Sequence, residues 1–278
     1  MDMNLQTTKE LVNGVKMPVL GLGVYKMTDR DETLQAITTA LELGYRAVDT
    51  AALYYNEEEV GEAIRHSSVP REDIFVTTKV WNSDQGYDNT LRAFEKSLKK
   101  LDMDYIDLYL THWPVKEKFV DTYRAIERLY DEKLIHVPGV SNHHEHHLKD
   151  ILASCNIAPM VNQIEVHPYL SQESLRNYCA QEQIAVTAWS PLGRGNVLND
   201  DKIVRIAREY DVTPAQIILR WHLQNDVIII PKSVTPSRIK ENSELYHFEL
   251  TKETMQQLDA LNRDERFGQN PDNFKFDF

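Results

Sequence analysis

Short apolar runs alternate with amphipathic segments along most of the chain. Most of these runs are nearly continuous in apolar residues, which is typical of parallel strands buried on both faces. Eight strands are predicted, over residues 19–23, 47–49, 74–80, 105–112, 137–141, 160–166, 185–190 and 227–231. Ahead of them, Asn13-Gly14 lies between residues 10–12 and 15–17 and predicts a hairpin with a type I′ turn.

The segments between the runs have helical periodicity. The first has Asp29 available as an N-cap and Gly44 as a terminator, and Pro214 after Thr213 suits the first turn of a later helix. Nine helices are predicted, over residues 31–43, 57–66, 89–101, 120–132, 145–154, 172–183, 201–210, 214–224 and 236–243.

Eight strand–helix units in one chain predict an α/β fold, a (β/α)8 TIM barrel with an N-terminal β-hairpin, as a single domain over residues 1–278. An open doubly wound sheet is the structural alternative. That fold normally carries GxGxxG after its first strand, but here the GLG at 21–23 is followed by VYK. The C-terminal tail, residues 262–278, contains Phe267, Phe274, Phe276 and Phe278, which favours docking onto the barrel over disorder.

Composition narrows the class of protein. The chain has 31 Lys and Arg against 43 Asp and Glu, a net charge of −12, which disfavours nucleic acid and anionic membranes as partners. No stretch approaches the ~20 apolar residues of a membrane span. The N-terminus has no apolar signal segment, and Cys155 and Cys179 are too few for a disulfide framework. A cytoplasmic location is therefore expected.

Polar side chains occur where neighbouring strands end, and in an α/β barrel these ends meet at one mouth. Asp49, Lys79 and His112 end three consecutive predicted strands, and Tyr54 lies in the loop after Asp49. Taken singly, each could be structural: a turn cap, an ion pair, a core histidine or a packing tyrosine. Taken together, they indicate chemistry, because a buried Lys79 ammonium needs a partner and Asp49 is the nearest by topology.

This set suggests proton donation to a carbonyl. A phenol with a pKa near ~10 is a weak acid at neutral pH, and Lys79 is expected to lower the pKa of Tyr54. His112 could polarise the carbonyl by hydrogen bonding. No side chain supplies hydride, so the reaction requires a cofactor.

Seven motifs in this order resemble the aldo-keto reductase superfamily. They are GYRAVDTAALYYNEEEVGEAI (44–64), VTTKVWNSDQGY (76–87), DYIDLYLTHWP (104–114), GVSN (139–142), MVNQIEVHP (160–168), AWSPLGRG (188–195) and IPKSVTPSRIKEN (230–242). The likeness runs from about residue 10 to the C-terminus. It is greatest to bacterial 2,5-diketo-gluconate reductase-like and glyoxal or methylglyoxal reductase-like members. The resemblance implies NADPH-dependent reduction of aldehydes and ketones, with NADPH/NADP+ bound across the barrel mouth without a Rossmann loop.

The resemblance also assigns residues to each part of the site. The catalytic set that it implies is Asp49, Tyr54, Lys79 and His112, with Tyr54 as proton donor. The cofactor residues are Asp49, Ser141, Asn142 and Gln163 near the carboxamide, Trp189 on the nicotinamide face, Ser190, Pro191 and Leu192 at the pyrophosphate, and Lys232, Ser233, Val234, Thr235, Arg238, Glu241 and Asn242 at the adenosine end. The substrate residues are Val24, Tyr25, Trp81, His112 and Trp113. Except for His112, packing at the top of the barrel is an equally good interpretation of each of them.

Two cations favour NADPH over NADH. Lys232 and Arg238 lie with the hydroxyls of Ser233 and Thr235 at a helix start, a good site for a 2′-phosphate. The short connection between His112 and the helix at 120 predicts an open pocket for small aldehydes, ketoaldehydes or sugars.

Three positions depart from the family pattern. Pro138 lies inside a predicted strand, where it removes a ladder donor, so a later strand start or a bulge is expected. His143 stands where phenylalanine is common. Tyr55 is a second phenol beside Tyr54, and the spacing from Asp49 favours Tyr54.

The histidine-rich run HHEHH at 143–147 is the one feature that suggests a metal ion. His143 and His147 have helical chelate spacing, but an HExxH motif would need histidine at 148, where Leu148 stands. A solvent-facing helix start without a functional metal site is therefore predicted, with adventitious Zn or Ni binding as the alternative left open.

A monomer acting on a small-molecule carbonyl is the expected state and partner. The competing hypothesis is an NADPH-binding sensor or scaffold with little turnover, which retention of all four catalytic-type residues disfavours. An unrelated barrel lyase or isomerase would need a phosphate or metal motif, and we find none in the sequence.

Overall fold

Alternating strands and helices account for most of the chain in the computed structural model, which describes residues 3–276. The strands are β1 Thr8–Glu10, β2 Lys16–Pro18, β3 Leu22–Gly23, β4 Ala47–Asp49, β5 Phe75–Val80, β6 Ile106–Thr111, β7 Ile135–Ser141, β8 Val161–Glu165, β9 Ala185–Trp189 and β10 Ile228–Ile229. The helices are α1 Arg30–Leu43, α2 Glu57–His66, α3 Tyr87–Leu101, α4 Phe119–Asp131, α5 Glu145–Ser154, α6 Glu173–Gln181, α7 Asp201–Glu209, α8 Pro214–Gln224, α9 Pro236–Ser243 and α10 Lys252–Asp259.

The strands β3 to β10 form one parallel sheet in sequence order, and the sheet closes on itself. Parallel bridges Leu20–Ile229 and Gly23–Lys232 join the first strand region to the last. Gly23 lies at this seam, where a Cβ would come within 2.7 Å of the carbonyl oxygen of Ile230, so a side chain would push the seam apart. The predicted barrel is thus confirmed, with helices covering its outside.

The predicted helices match the structure to within two residues at most ends. Asp29 caps α1 by accepting from the backbone N–H of Glu32, and Gly44 ends it with a φ of +106°. The helix α10 was not predicted, because its apolar face is short and its first turn polar. No helix within residues 3–276 is both long enough and apolar enough to cross a bilayer.

The predicted two-residue type I′ turn is wrong. Glu10 pairs with Lys16, and the backbone N–H of Leu11 donates to the carbonyl of Val15 at 2.8 Å, so the loop is longer. Within it only Gly14 has a positive φ, +84°, whereas a type I′ turn needs two such residues. The single left-handed glycine instead closes a three-residue loop.

The predicted late start or bulge at Pro138 is also wrong, since β7 runs unbroken through it. The Pro138 carbonyl accepts from the backbone N–H of Met160 at 2.9 Å. The N–H and C=O of a strand residue point towards the same neighbouring strand. The N–H that Pro138 lacks would therefore face the segment just before Val161, which is not yet part of β8. The proline therefore costs the sheet no hydrogen bond.

The hairpin closes the amino-terminal end of the barrel. Leu11 and Met17 join a buried cluster inside the barrel with Phe75, Leu108 and Val137. This plug leaves the carboxyl ends of the strands as the open mouth of the barrel.

A fully buried histidine supports the loop at that mouth. His222, on α8, bonds through Nε2 to the carbonyl of Pro191 at 2.9 Å, and burial lowers the pKa of the imidazole to about 3. The folded protein therefore keeps this ring neutral at pH values where the unfolded chain protonates it. Stability that depends on the neutral ring is lost as the pH falls below the unfolded pKa.

We expect His222→Gln to make the unfolding free energy depend less on pH below neutrality. Between pH 7 and 5 the wild-type ring contributes a loss of about 2 kcal/mol in unfolding free energy, because only the unfolded state takes up the proton. Urea denaturation at both pH values measures that loss. His66→Gln, at an exposed position that ends α2, serves as the control. Equal pH dependence in wild type and His222→Gln would contradict the assignment.

Candidate active site

A buried ion pair lies at the mouth of the barrel, on the neighbouring strands β4 and β5. Lys79 Nζ is 2.6 Å from Asp49 Oδ1 and 2.8 Å from the carbonyl oxygen of Thr50. The Lys79 residue is 1% exposed and Asp49 5%. Burial lowers the pKa of Lys79, and the Asp49 carboxylate opposes that shift by stabilising the ammonium.

Tyr54 faces this ion pair. It ends a short 3₁₀ turn, Ala52–Tyr54, and its hydroxyl lies 3.4 Å from Lys79 Nζ. Tyr55, next in sequence, has a φ of 54° and is 80% exposed, so the chain turns its ring away from the site. The structure thus brings Tyr54, and not Tyr55, to the buried ammonium.

A buried amide that the sequence analysis missed fixes the loop carrying Tyr54. Asn56 Oδ1 accepts from the Thr50 hydroxyl at 2.6 Å, and its Nδ2 donates to the carbonyls of Val24 and Met27. These bonds tie the loop after β4 to the segment after β3. An asparagine just before a helix is usually an N-cap, which is why its position gave no other signal.

The expectation that Lys79 lowers the pKa of Tyr54 is not met. Burial, followed by the neighbouring Asp49 carboxylate and Tyr25, raises the pKa of the phenol well above its usual value. The phenol therefore carries its proton throughout the neutral range, which is the state that a proton donor requires.

His112 follows β6 and completes the set. Its ring meets Tyr54 edge-on at 5.8 Å and Trp81 at 5.0 Å between centroids. Nδ1 is buried with no partner among the described residues, which leaves Nε2 as the nitrogen that opens to the cavity. Burial, and then the nearby Lys79, lower the pKa of the ring well below its usual value, so it stays neutral.

Asp49, Tyr54 and His112 line a cavity of about 460 Å³ at the barrel mouth. Two surface grooves of about 690 and 580 Å³ lie on the outside of the barrel. Neither is lined by Asp49, Tyr54, Lys79 or His112. The predicted residues that line the cavity are Tyr25, Asp49, Tyr54, Trp81, His112, Trp113, Ser141, Asn142, Gln163, Trp189, Ser190, Pro191 and Lys232. Lys79 lies behind Asp49, and Val24, expected in the substrate pocket, is instead fully buried in the core.

The C-terminal tail supplies wall residues that sequence reasoning missed. Phe276 contacts Trp81 and Trp113 with centroids 5.1 and 5.2 Å away, and Phe274 also packs on Trp113. The prediction that the tail docks on the barrel is thereby confirmed, although Phe278 lies outside the described residues. The further lining residues are Gly23, Leu53, Arg194, Ile230, Phe267, Gly268 and Gln269. The density of phenylalanine in the tail was the only sequence signal for this wall.

A buried carboxylate holds the tail in place. Glu165 Oε1 accepts from the backbone N–H of Phe267 at 2.7 Å, and both of its oxygens lie within 3.2 Å of the Gly268 nitrogen. Its other partner is His167, at 3.0 Å. Gly268 fits against Trp189, since an added Cβ would lie 2.3 Å from that ring.

Three amide and hydroxyl side chains lie together beside Asp49. Gln163 Nε2 donates to Asp49 Oδ2 at 2.6 Å, which leaves Gln163 Oε1 without a partner among the described residues. The Ser141 hydroxyl donates to the Gln163 carbonyl at 2.7 Å. Asn142 donates to the His112 carbonyl at 3.0 Å and accepts from Trp189 Nε1 at 2.8 Å. This group presents donors and acceptors suited to a carboxamide.

Two cations stand at the expected adenosine end without ion-pair partners within residues 3–276. Lys232 and Arg238 are both exposed. Ser233 accepts from the backbone N–H of Thr235 at 3.1 Å just ahead of α9. This arrangement fits a phosphate group.

The remaining predicted cofactor residues differ in their surroundings. Glu241 is already engaged, since it accepts from the Thr213 hydroxyl at 2.9 Å. Asn242 is buried, whereas Leu192 and Val234 are only partly so.

The histidine-rich run is not the solvent-facing helix start that was predicted. His143 is fully buried and bonds through Nδ1 to the Ser141 carbonyl at 2.8 Å, which helps to hold the end of β7. Burial lowers the pKa of His143 to about 3. Only His146 is largely exposed, with 61% of its side chain accessible, against 19% for His144 and 10% for His147.

Comparison with known proteins shows which family the chain resembles. A sequence model of the aldo/keto reductase family matches residues 19–263. A 9,11-endoperoxide prostaglandin H2 reductase from Trypanosoma cruzi (strain CL Brener) is 52% identical over 267 residues, 95% of this chain and 94% of that protein. Glyoxal reductase from Bacillus subtilis (strain 168) is 50% identical over 276 residues, 99% of this chain and all of that protein.

A solved structure is similar to this chain in both sequence and fold. A variant of Gox0644, crystallised in complex with NADPH, is 43% identical and has a TM-score of 0.93, covering 98% of this chain and 99% of that chain. The family model and the relatives each span nearly the whole of the described barrel. The chain therefore belongs to the aldo/keto reductase family, as its seven motifs predicted.

Proposed function

We propose that this protein reduces the carbonyl group of small aldehydes and ketones to an alcohol, using NADPH. The observation that carries the proposal is the convergence of Tyr54, Lys79, Asp49 and His112 on one aromatic cavity. A binding-only sensor would have no need of a buried ammonium beside a buried phenol, because burying the ammonium costs stability and such perturbed groups cluster at sites of proton transfer.

Tyr54 is the proton donor in this proposal. Its phenol keeps its proton at neutral pH, and the oxygen of a carbonyl that is being reduced becomes a stronger base than a phenolate. Lys79, 3.4 Å from the phenol oxygen, stabilises the phenolate that remains. Asp49 keeps the ammonium charged and in position. When bound, NADPH supplies the hydride.

His112 orients the carbonyl. Its ring is neutral, and with the proton on Nε2 it donates a hydrogen bond into the cavity towards the same oxygen that Tyr54 protonates. The edge-on contacts with Tyr54 and Trp81 restrict the ring to this orientation. Two donors aimed at one oxygen polarise it and fix its position.

The cavity favours small carbonyl compounds. Its outer wall is aromatic, formed by Tyr25, Trp81, Trp113 and Phe276, and its polar groups are concentrated around Tyr54 and His112. A volume of about 460 Å³ must hold the substrate together with the nicotinamide end of the cofactor. A similar protein is named glyoxal reductase, and a small dicarbonyl such as methylglyoxal suits the remaining space.

The cofactor preference rests on the cations at the opposite end. Lys232 and Arg238, both exposed and without an ion-pair partner in the described part of the chain, can pair with a 2′-phosphate, which NADPH has and NADH lacks. Arg194, which lines the cavity near Ser190 and Pro191, adds a third positive charge where a pyrophosphate would pass. Arg194 is not among the cofactor residues predicted from the sequence.

We expect Tyr54→Phe to lower kcat for methylglyoxal reduction by about 10²- to 10⁴-fold, the usual contribution of a general acid. NADPH consumption measured by absorbance provides the rate, with a simple aromatic aldehyde and a keto-sugar as further substrates. NADPH binding, followed by fluorescence titration, should remain near the wild-type value because the phenol acts on the substrate.

Tyr55→Phe is the matched control, because it removes an adjacent phenol whose ring is exposed. Its kcat should equal that of the wild type. Persistent turnover in Tyr54→Phe, or a comparable loss in Tyr55→Phe, would show that Tyr54 is not the donor. Tight NADPH binding without turnover of any carbonyl in the wild type would favour the sensor instead.

We expect Arg238→Ala to raise KM for NADPH by about 10- to 100-fold while leaving KM for NADH nearly unchanged, since a charge-assisted hydrogen bond contributes about 1.5–3 kcal/mol. Steady-state kinetics with both cofactors measure the two constants. Lys240→Ala is the control, because Lys240 lies on the same helix and pairs with Glu244. An equal rise for both cofactors would place Arg238 away from the 2′-phosphate.

A further inference from the structure

A cluster of three imidazoles and one carboxylate joins the start of α5 to the C-terminal tail. His144, His146 and His147 each direct one ring nitrogen towards Asp272, and the four candidate ligand atoms lie within 4.8 Å of one another. The cluster lies outside the set of residues assigned to catalysis or to the cofactor. Asp272 is 128 residues away from His144 in sequence, so the histidine run alone could not reveal it.

From this geometry we propose that His144, His146, His147 and Asp272 form a site for a divalent transition-metal ion of the imidazole-binding class, such as Zn²⁺. His144 Nδ1 is 3.1 Å from Asp272 Oδ2, and His146 Nε2 is 3.1 Å from Asp272 Oδ1. Ligand atoms around a tetrahedral Zn²⁺ lie about 3.3 Å apart, given Zn–N bonds of about 2.0–2.1 Å. Neutral imidazole with carboxylate is a donor set that suits this class of ion.

The hydrogen bonds of the cluster determine how each histidine would act. Arg266 donates to His144 Nε2 at 3.1 Å. When His144 Nδ1 binds a metal, Nε2 carries the ring proton and no longer accepts, so Arg266 must donate instead to Gln172 Oε1, which is already 3.5 Å away. His147 Nδ1 accepts from the backbone N–H of His144 at 3.1 Å. His147 Nε2 can therefore bind the metal only if this hydrogen bond breaks. His144, His146 and Asp272 are therefore the principal ligands, and His147 Nε2 is a fourth ligand atom within reach, at 3.8 Å from Asp272 Oδ1.

The carboxylate is held ready by its own loop. Gln269 brackets the loop by donating to the Lys275 carbonyl at 2.9 Å and accepting from the Lys275 backbone N–H at 2.6 Å. Asp272 lies within this closed loop, and its backbone N–H is tied to Asn270 at 2.9 Å. A preorganised carboxylate loses little conformational entropy on binding an ion.

A metal ion at this site would hold the C-terminal tail, which forms part of the cavity wall, against the barrel. Asp272 is followed within four residues by Phe274 and Phe276, the rings that pack on Trp113 and Trp81. An ion that joins Asp272 to the start of α5 therefore fastens the tail to the barrel. We infer that occupancy slows release of residues 272–276 from the mouth.

The test is Zn²⁺ binding by calorimetry on chelator-treated full-length protein. We expect one ion per chain in the wild type, with affinity lowered at least tenfold in His146→Ala and in Asp272→Asn. Both positions are partly exposed, so these variants should fold normally. His66→Ala, an exposed histidine at the end of α2, should bind as the wild type does. Unchanged affinity in His146→Ala and Asp272→Asn would mean an adventitious ion only and would overturn the site.

The fastening of the tail is tested separately by trypsin cleavage after Lys275, followed by mass spectrometry. Zn²⁺ should slow this cleavage in the wild type and leave its rate unchanged in Asp272→Asn. Binding without protection in the wild type would contradict the fastening. Neither measurement uses carbonyl reduction, so the outcome is independent of the proposed enzymatic function.

Discussion

An ammonium group removed from water must keep a compensating charge and a full set of acceptors, and this requirement organises the mouth of the barrel. Lys79 is met by Asp49 and by the Thr50 carbonyl. The second oxygen of Asp49 accepts from Gln163, on a strand well around the barrel. One buried charge thus links β4, β5 and β8, and any change in strand register would leave it unpaired.

The position of Tyr54 follows from the same constraint. The loop after β4 must return its Thr50 carbonyl to Lys79, and Asn56 then fixes the rest of the loop through three hydrogen bonds. The phenol is delivered to the ammonium as a consequence. The proposed proton donor and the cation beside it are therefore placed by the bonds that satisfy the buried charge.

The surroundings of the cavity depend on contacts between distant parts of the chain. The hairpin fills one end of the barrel through Leu11 and Met17, so only the other end is open. There the tail is anchored by Glu165 and covers the aromatic wall with Phe276. The proposed metal site has the same character, since its carboxylate comes from the tail and its imidazoles from the start of α5.

The sequence by itself determined the barrel and the four residues around the buried charge. Apolar runs and helical periodicity are local signals, and Asp49, Lys79 and His112 each end such a run, so topology alone brings them together. Local signals were insufficient at Asn13-Gly14, where the loop length depended on how the hairpin pairs, and at Pro138, where the neighbouring strand begins too late to need its N–H.

Only the tertiary structure decided which charges and rings meet across long separations. It raised the pKa of Tyr54 through burial and buried Val24. It also brought Arg194 and Phe276 to the mouth and Asp272 to the histidines at the start of α5. Desolvation and docking depend on the summed contacts of the folded chain, and no window of sequence contains those contacts.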